Sequence, residues 1–212
     1  DIIAYRAMLE YQLGDFEQGE VHLDRLVESL SKGDQPVNAQ RVGALAIAVT
    51  GRISGSDDRF DIAEVAAEAV LSSPSITPFI ANTARFGLAL IAIQRADAAA
   101  ASEHYAALQV HRAPLQEISG DRLMGLLAQT MGDLSQAASH FEDALAYCRN
   151  AGFRPELAWT CCDYADLLMQ RNHENDHSKA TSLLDESLAI SEELGMRPLV
   201  ERVLSRQENL KD

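Results

Sequence analysis

The chain predicts an all-α fold, a row of about five helical hairpins followed by one C-terminal helix. Three observations carry that prediction. Ala and Leu dominate a composition that is 47% apolar but only 6% aromatic, a balance that favours helix over sheet. A pattern of small residues around a tight turn recurs along the whole length. The six prolines (Pro36, Pro74, Pro78, Pro114, Pro155 and Pro198) fall between the helices so defined or in a first helical turn, where a missing N–H costs little.

Taken in order, the first hairpin (residues 1–35) opens with Ile2, Ile3, Tyr5, Met8 and Leu9, turns at Gly14-Asp15-Phe16, and continues with Gly19, Leu23 and Leu26. The second (36–76) has a first helix over about 38–52, a Gly55-Ser56-Asp57-Asp58 turn, and a second helix carrying Ala63, Ala67 and Val70. The third (77–114) places Leu88, Ala89 and Ala92 before an Ala96-Asp97 turn, and Ala101, Tyr105 and Leu108 after it. The fourth (115–154) is the clearest: Gly125, Ala128, the turn Gly132-Asp133-Leu134, then Ala137, Phe141, Ala144 and Leu145. The fifth (155–197) runs through Trp159, Cys162 and Ala165, loops over 172–178, and resumes with Ala180, Leu184 and Leu188; a last helix occupies 198–211. Asp15 with Gln18, and Asp133 with Gln136, form acid-plus-Gln versions of the capping box at equivalent positions.

The markers Gly19, Ala63, Ala101, Ala137 and Ala180 stand 44, 38, 36 and 43 residues apart. Small side chains permit helices to pack at the close end of the usual 8–10 Å. Gly125 and Ala137 are therefore expected to face each other, with Phe141 filling the space beside them. One such hairpin cannot bury both its faces, so neighbours must cover them. The apolar opening residues are expected to lean on a further repeat, which makes that end an expected association site.

The formal charge of −14 repels polyphosphate and excludes direct nucleic-acid contact by this segment. No stretch approaches the roughly 18 apolar residues of a membrane span. The chain opens at Asp1, inside an amphipathic pattern and with no signal peptide, and reads as a piece of something longer. Cys148, Cys161 and Cys162 are an odd set with two adjacent, no disulfide framework, from which a reducing cytoplasmic location is expected.

Residues 121–149 resemble the tetratricopeptide (TPR) pattern at most of its small and aromatic positions, and the other four hairpins resemble it in part. The standard repeat is 34 residues, so these units are stretched. The resemblance implies a right-handed superhelix, an α-solenoid with a concave groove lined by the first helix of each hairpin. Within 132–206, the phrases His140-Phe-Glu-Asp-Ala-Leu-Ala-Tyr-Cys-Arg149, Arg154-Pro-Glu-Leu-Ala-Trp-Thr160 and Glu193-Leu-Gly-Met-Arg-Pro-Leu199 resemble the helical-repeat region of large bacterial LuxR-type, switch-ATPase (STAND, MalT-like) transcriptional regulators. That likeness implies a sensor or scaffold arm; neither an ATPase motif nor a DNA-reading helix is in the sequence. Carried over position by position, the groove residues are Arg41, Thr83, Gln94, Arg122, Gln129, Trp159 and Asp163, with Trp159 either on the wall or packed against the neighbouring repeat, and Arg122 and Asp163 either facing the groove or paired with each other across adjacent helices. The packing residues are Gly125, Ala128, Gly132, Ala137, Phe141 and Ala144. The carboxylate clamp of co-chaperone repeats needs Asn four residues after a groove cation, but Leu45 follows Arg41 and Leu126 follows Arg122.

Other chemistry reads weakly. His173-Glu-Asn-Asp-His177 has potential ligands, but its Asn/Asp-rich context argues for a solvated turn, and no metal or other cofactor is expected. Gly51-Arg-Ile-Ser-Gly55 lacks the Lys-Ser/Thr of a phosphate loop. No base stands near Cys161 or Cys162, and His22, His104, His111 and His140 are expected on polar faces. The expectation is a non-enzyme whose partner is another domain of a parent regulator, a separate protein or a small effector. Self-association through the repeat ends, as a structural spacer with no ligand, stands beside it.

Overall fold

Helix after helix in this chain stops in the same way. Gly14, Ala96, Gly132, Gly152 and Gly195 all adopt left-handed backbone, with φ between 52° and 87°. At each stop the following N–H reaches back five residues, as in Asp15 N to Glu10 O, Asp97 N to Ala92 O, Asp133 N to Ala128 O, Phe153 N to Cys148 O and Met196 N to Ser191 O, all 2.9 Å. This is the Schellman motif, which satisfies carbonyls that a helix end leaves over. Three of the five stops run directly into an N-cap aspartate. Asp15 accepts from Gln18 N at 3.2 Å, Asp97 from Ala99 N and Ala100 N at 3.0 Å, and Asp133 from Gln136 N at 3.0 Å. A step of two or three residues from one helix into the next fixes an antiparallel hairpin.

The computed structural model describes residues 2–32, 35–74, 76–109 and 118–210. Pro114 and His111 lie outside them. Among the described residues there are eleven α-helices and no strand: α1 Ile2–Leu13, α2 Phe16–Ser31, α3 Val37–Ser54, α4 Phe60–Leu71, α5 Pro78–Gln94, α6 Ala98–Gln109, α7 Gly120–Thr130, α8 Leu134–Ala151, α9 Arg154–Arg171, α10 Asp176–Glu193 and α11 Arg197–Asn209. No helix among them is long and apolar enough to cross a membrane. The helix expected over 38–52 extends slightly at both ends, and α10 starts earlier than the expected loop over 172–178 allows. The early start has a local cause: the Asp176 carboxylate accepts from the Arg171 guanidinium at 2.6 and 2.9 Å and from His173 N at 2.9 Å, closing the turn tightly.

The chain divides into two compact units, Asp1–Ala113 and Pro114–Asp212. In the first, α1–α6 form three hairpins, and α3 also packs on α1 and α5. Gly87 on α5 lies against the α3 backbone, where an added Cβ would stand 3.2 Å from the Ala44 carbonyl group. In the second unit, α7–α8 and α9–α10 pair, α8 packs on α9, and α11 lies against α10 and α9. The five marker residues are all in the cores: Gly19 is buried, and Ala63, Ala101, Ala137 and Ala180 have no exposed surface at all. The surface that an added Cβ would meet from Gly125 is the Phe141 ring at 3.1 Å, and Phe141 stacks on Tyr164 of α9 with ring centroids 5.3 Å apart. Gly125, Ala128, Ala137, Phe141 and Ala144 are all buried, while Gly132 takes the turn.

Candidate functional site

The first turn of α7 builds the most unusual site in the second unit. Ser119 caps the helix, accepting from Arg122 N at 3.5 Å, while its own N–H donates to the Glu156 carboxylate at 2.6 Å. Arg122 then reaches from α7 to α9, donating from Nε to Glu156 Oε1 at 2.7 Å and from Nη1 to Asp163 Oδ2 at 2.8 Å. Glu156 and Asp163 are seven residues apart, two turns of one helix, so both face the guanidinium. The side chains are only 6%, 2% and 2% exposed. Burial opposes the Arg122 cation, but the two carboxylates outweigh it and raise its pKa, so it stays charged. Burial also pushes the Glu156 carboxyl above its usual range, with Arg122 and the Ser119 amide pulling the other way.

Trp159 lies between those two acids on α9. It is 4% exposed, and the Arg202 guanidinium of α11 sits 5.1 Å from its ring centre. The indole is therefore enclosed, with the α11 guanidinium over its face. Further along, Gln129 Nε2 donates to Gln170 Oε1 at 2.8 Å, and Arg206 of α11 grips both oxygens of Asp166 at 3.0–3.2 Å. In the first unit, Arg41 donates to Thr83 Oγ1 at 3.0 Å and lies over the Phe79 ring at 5.1 Å. Gln94 Nε2 donates to the Ala48 and Leu90 carbonyls, both at 3.0 Å.

The seven expected groove residues thus fall into two sets, Arg41, Thr83 and Gln94 in one unit and Arg122, Gln129, Trp159 and Asp163 in the other. Within each set, most join the first helix of one hairpin to the first helix of the next. Reasoning from sequence missed Ser119, Glu156, Asp166 and Arg206. The seven-residue spacing of Glu156 and Asp163, which sets both on one face of a helix, is the signal in the sequence that could have found Glu156.

His140 corrects an expectation: it is 5% exposed rather than on a polar face, because α8 packs on both α7 and α9 and has two covered sides. His104 is half-buried, which lowers its pKa. Cys148, Cys161 and Cys162 are fully buried; burial raises the Cys148 thiol to about 11 and Cys162 to about 12, and Cys161 rises for the same reason. None of these is a poised nucleophile. His173 lies in the loop before α10, and His177 Nε2 is 3.1 Å from the Leu210 carbonyl oxygen, so the two do not share a helical face. Apart from the polar wall, α2, α3 and α4 enclose a groove of about 450 Å³ lined by Leu30, Gln40, Asp61, Ile62 and Val65. No family model, curated protein or solved structure matches this chain.

Proposed function

We propose that this chain is a TPR-like interaction or ligand-sensing segment, an α-solenoid of helical hairpins serving as the non-catalytic arm of a cytoplasmic bacterial signalling or transcriptional regulator. One observation supports the repeat reading most: the polar bonds between successive first helices recur at one repeat's separation. Arg41–Thr83 are 42 residues apart, Gln94–Ala48 46, Arg122–Asp163 41, Gln129–Gln170 41 and Arg206–Asp166 40. A chain of equivalent units stacked in order produces that spacing. The regulatory role rests on the resemblance of 132–206 to LuxR-type, switch-ATPase regulators.

Binding would act by favouring one arrangement of the hairpins over another, which requires a ligand with different affinity for the two. The exposed amides of the Gln129–Gln170 pair and the groove beside Val65 are the surfaces offered to it. Isothermal titration against a panel of nucleotides, sugars and amino acids, and against switch-ATPase domains, tests the reading. A saturable heat reduced by Gln129→Ala with Gln170→Ala, or by Val65→Glu, is expected. Absence of heat throughout the panel removes the support.

The spacer reading has its own observation. On α1, Ile2 is 81%, Leu9 48% and Tyr5 43% exposed, which is apolar surface suited to self-association. Sedimentation separates the readings: a concentration-dependent dimer, abolished by Leu9→Glu and with no heat against the panel, favours the spacer.

A further inference from the structure

The α7–α8 hairpin brings three metal-ligating side chains to one place. Asp121 is in the first turn of α7, and His140 and Asp143 are on α8. One ligand atom from each, two carboxylate oxygens and an imidazole nitrogen, lie all within 4.8 Å of one another. We propose that these residues bind a divalent transition-metal ion of the zinc type, which clips the start of α7 to the middle of α8.

The geometry follows from the hairpin. Asp121 and Asp143 stand equally far in sequence from Gly132, so antiparallel pairing sets them opposite each other. His140 and Asp143 are three residues apart and share a helix face. A four-coordinate ion with bonds of about 2.0–2.1 Å holds its ligands about 3.3–3.4 Å apart, so small side-chain rotations close the trio around it. Burial is graded across the site: the imidazole is 5% exposed, Asp121 is half-buried and Asp143 is exposed. The ion therefore has an anchored nitrogen on one side and an entry path on the other. Asp143 is exposed, so its carboxylate is open to an incoming ion, while Asp121 and His140 each already take part in an interaction within the fold that the ion would join or replace. One imidazole among carboxylates selects zinc, cobalt or nickel over calcium and magnesium, which prefer oxygen alone. Three protein ligands leave a fourth position to water.

The test uses the whole chain, stripped with chelator and titrated with Zn²⁺ by calorimetry and with Co²⁺ by visible absorption. One equivalent of either ion is expected, with the intense d–d bands of four-coordinate cobalt. Zn²⁺ is expected to raise the urea midpoint, because it binds the folded hairpin; Mg²⁺ and Ca²⁺ are not. Asp143→Asn alters an exposed side chain, leaves folding intact and is expected to weaken binding at least about tenfold, and His140→Gln to abolish it. No binding up to millimolar metal overturns the proposal. So does binding that Asp143→Asn leaves unchanged, and equally binding that His173→Gln removes, which would place the ion on the loop before α10.

Discussion

Replacing Arg122 with Met tests the buried charge network directly. Met keeps the length of the side chain and removes the cation, leaving Glu156 and Asp163 buried beside an apolar group. At 2.7 and 2.8 Å, and an effective dielectric of about 20, each ion pair is worth roughly 6 kcal/mol gross. Desolvating the three charged groups costs several kcal/mol per ion, so the intact network adds little net stability. Removing one partner is different, because the cost of burying the others stays. The expected loss is about 3–5 kcal/mol, a large part of the roughly 5–15 kcal/mol that holds a typical domain together. Urea unfolding followed by the fluorescence of Trp159, which lies on α9 between the two acids, reads the effect where it arises. The deficit should shrink as pH falls. A buried carboxyl whose pKa is raised in the folded state penalises folding above that pKa, and the penalty fades as the group takes up its proton. Arg122→Met combined with Glu156→Gln and Asp163→Asn should recover most of the stability. A single-variant loss below about 1 kcal/mol, or one equal at pH 4 and pH 8, would refute this account.

Four further outcomes follow. Ala96 holds left-handed backbone at φ 52°, so Ala96→Gly should stabilise the first unit by about 0.5–1 kcal/mol in chemical denaturation. Gly87→Val would press a side chain onto the α3 backbone, 3.2 Å from its Cβ, and should cost about 1–3 kcal/mol by the same measurement. Phe141→Ala empties the space between Gly125 and Tyr164 and should cost roughly 3–5 kcal/mol, seen as a lower urea midpoint. The bond from Arg171 holds the Asp176 carboxyl down at about 2, below its ordinary value of 3.8. Its contribution is present above that ordinary value and disappears as pH falls towards 2, so the stability gap between the parent and Asp176→Asn should be constant above about pH 5 and close below pH 4.

The local rules of this fold were legible because they are written in residues with few alternatives. A Gly-Asp pair between apolar runs states a left-handed stop and a capped start, and Gly14, Gly132, Asp15 and Asp133 do both. Ala96 was readable only by its place in the repeat, since nothing about alanine asks for positive φ. The markers from Gly19 to Ala180 announced their burial by being small where larger apolar residues would be expected. Charge was the poor guide. Arg122 and Asp163 could be read as an exposed pair across adjacent helices, but the burial of that pair and the share of Glu156 in it rest on contacts 34 and 41 positions apart that no local window contains. Helix α9 also hid its own environment. All ten residues from Glu156 to Ala165 are buried, so no stripe marks a groove side, and repeat position alone left Trp159 open between the wall and the packing. His140 was misread for a related reason, since covering α8 on two sides leaves little of it polar.

The tryptophan and all three cysteines of this chain belong to residues 148–162. Thiols this deeply enclosed, with protons held to about pH 11 or above for Cys148 and Cys162, react with alkylating reagents only when α8 and α9 part. Tryptophan fluorescence and thiol labelling therefore report on the carboxy-terminal half alone, while circular dichroism sums both. The molecule is thus supplied with its own means of showing whether its halves melt together or in turn.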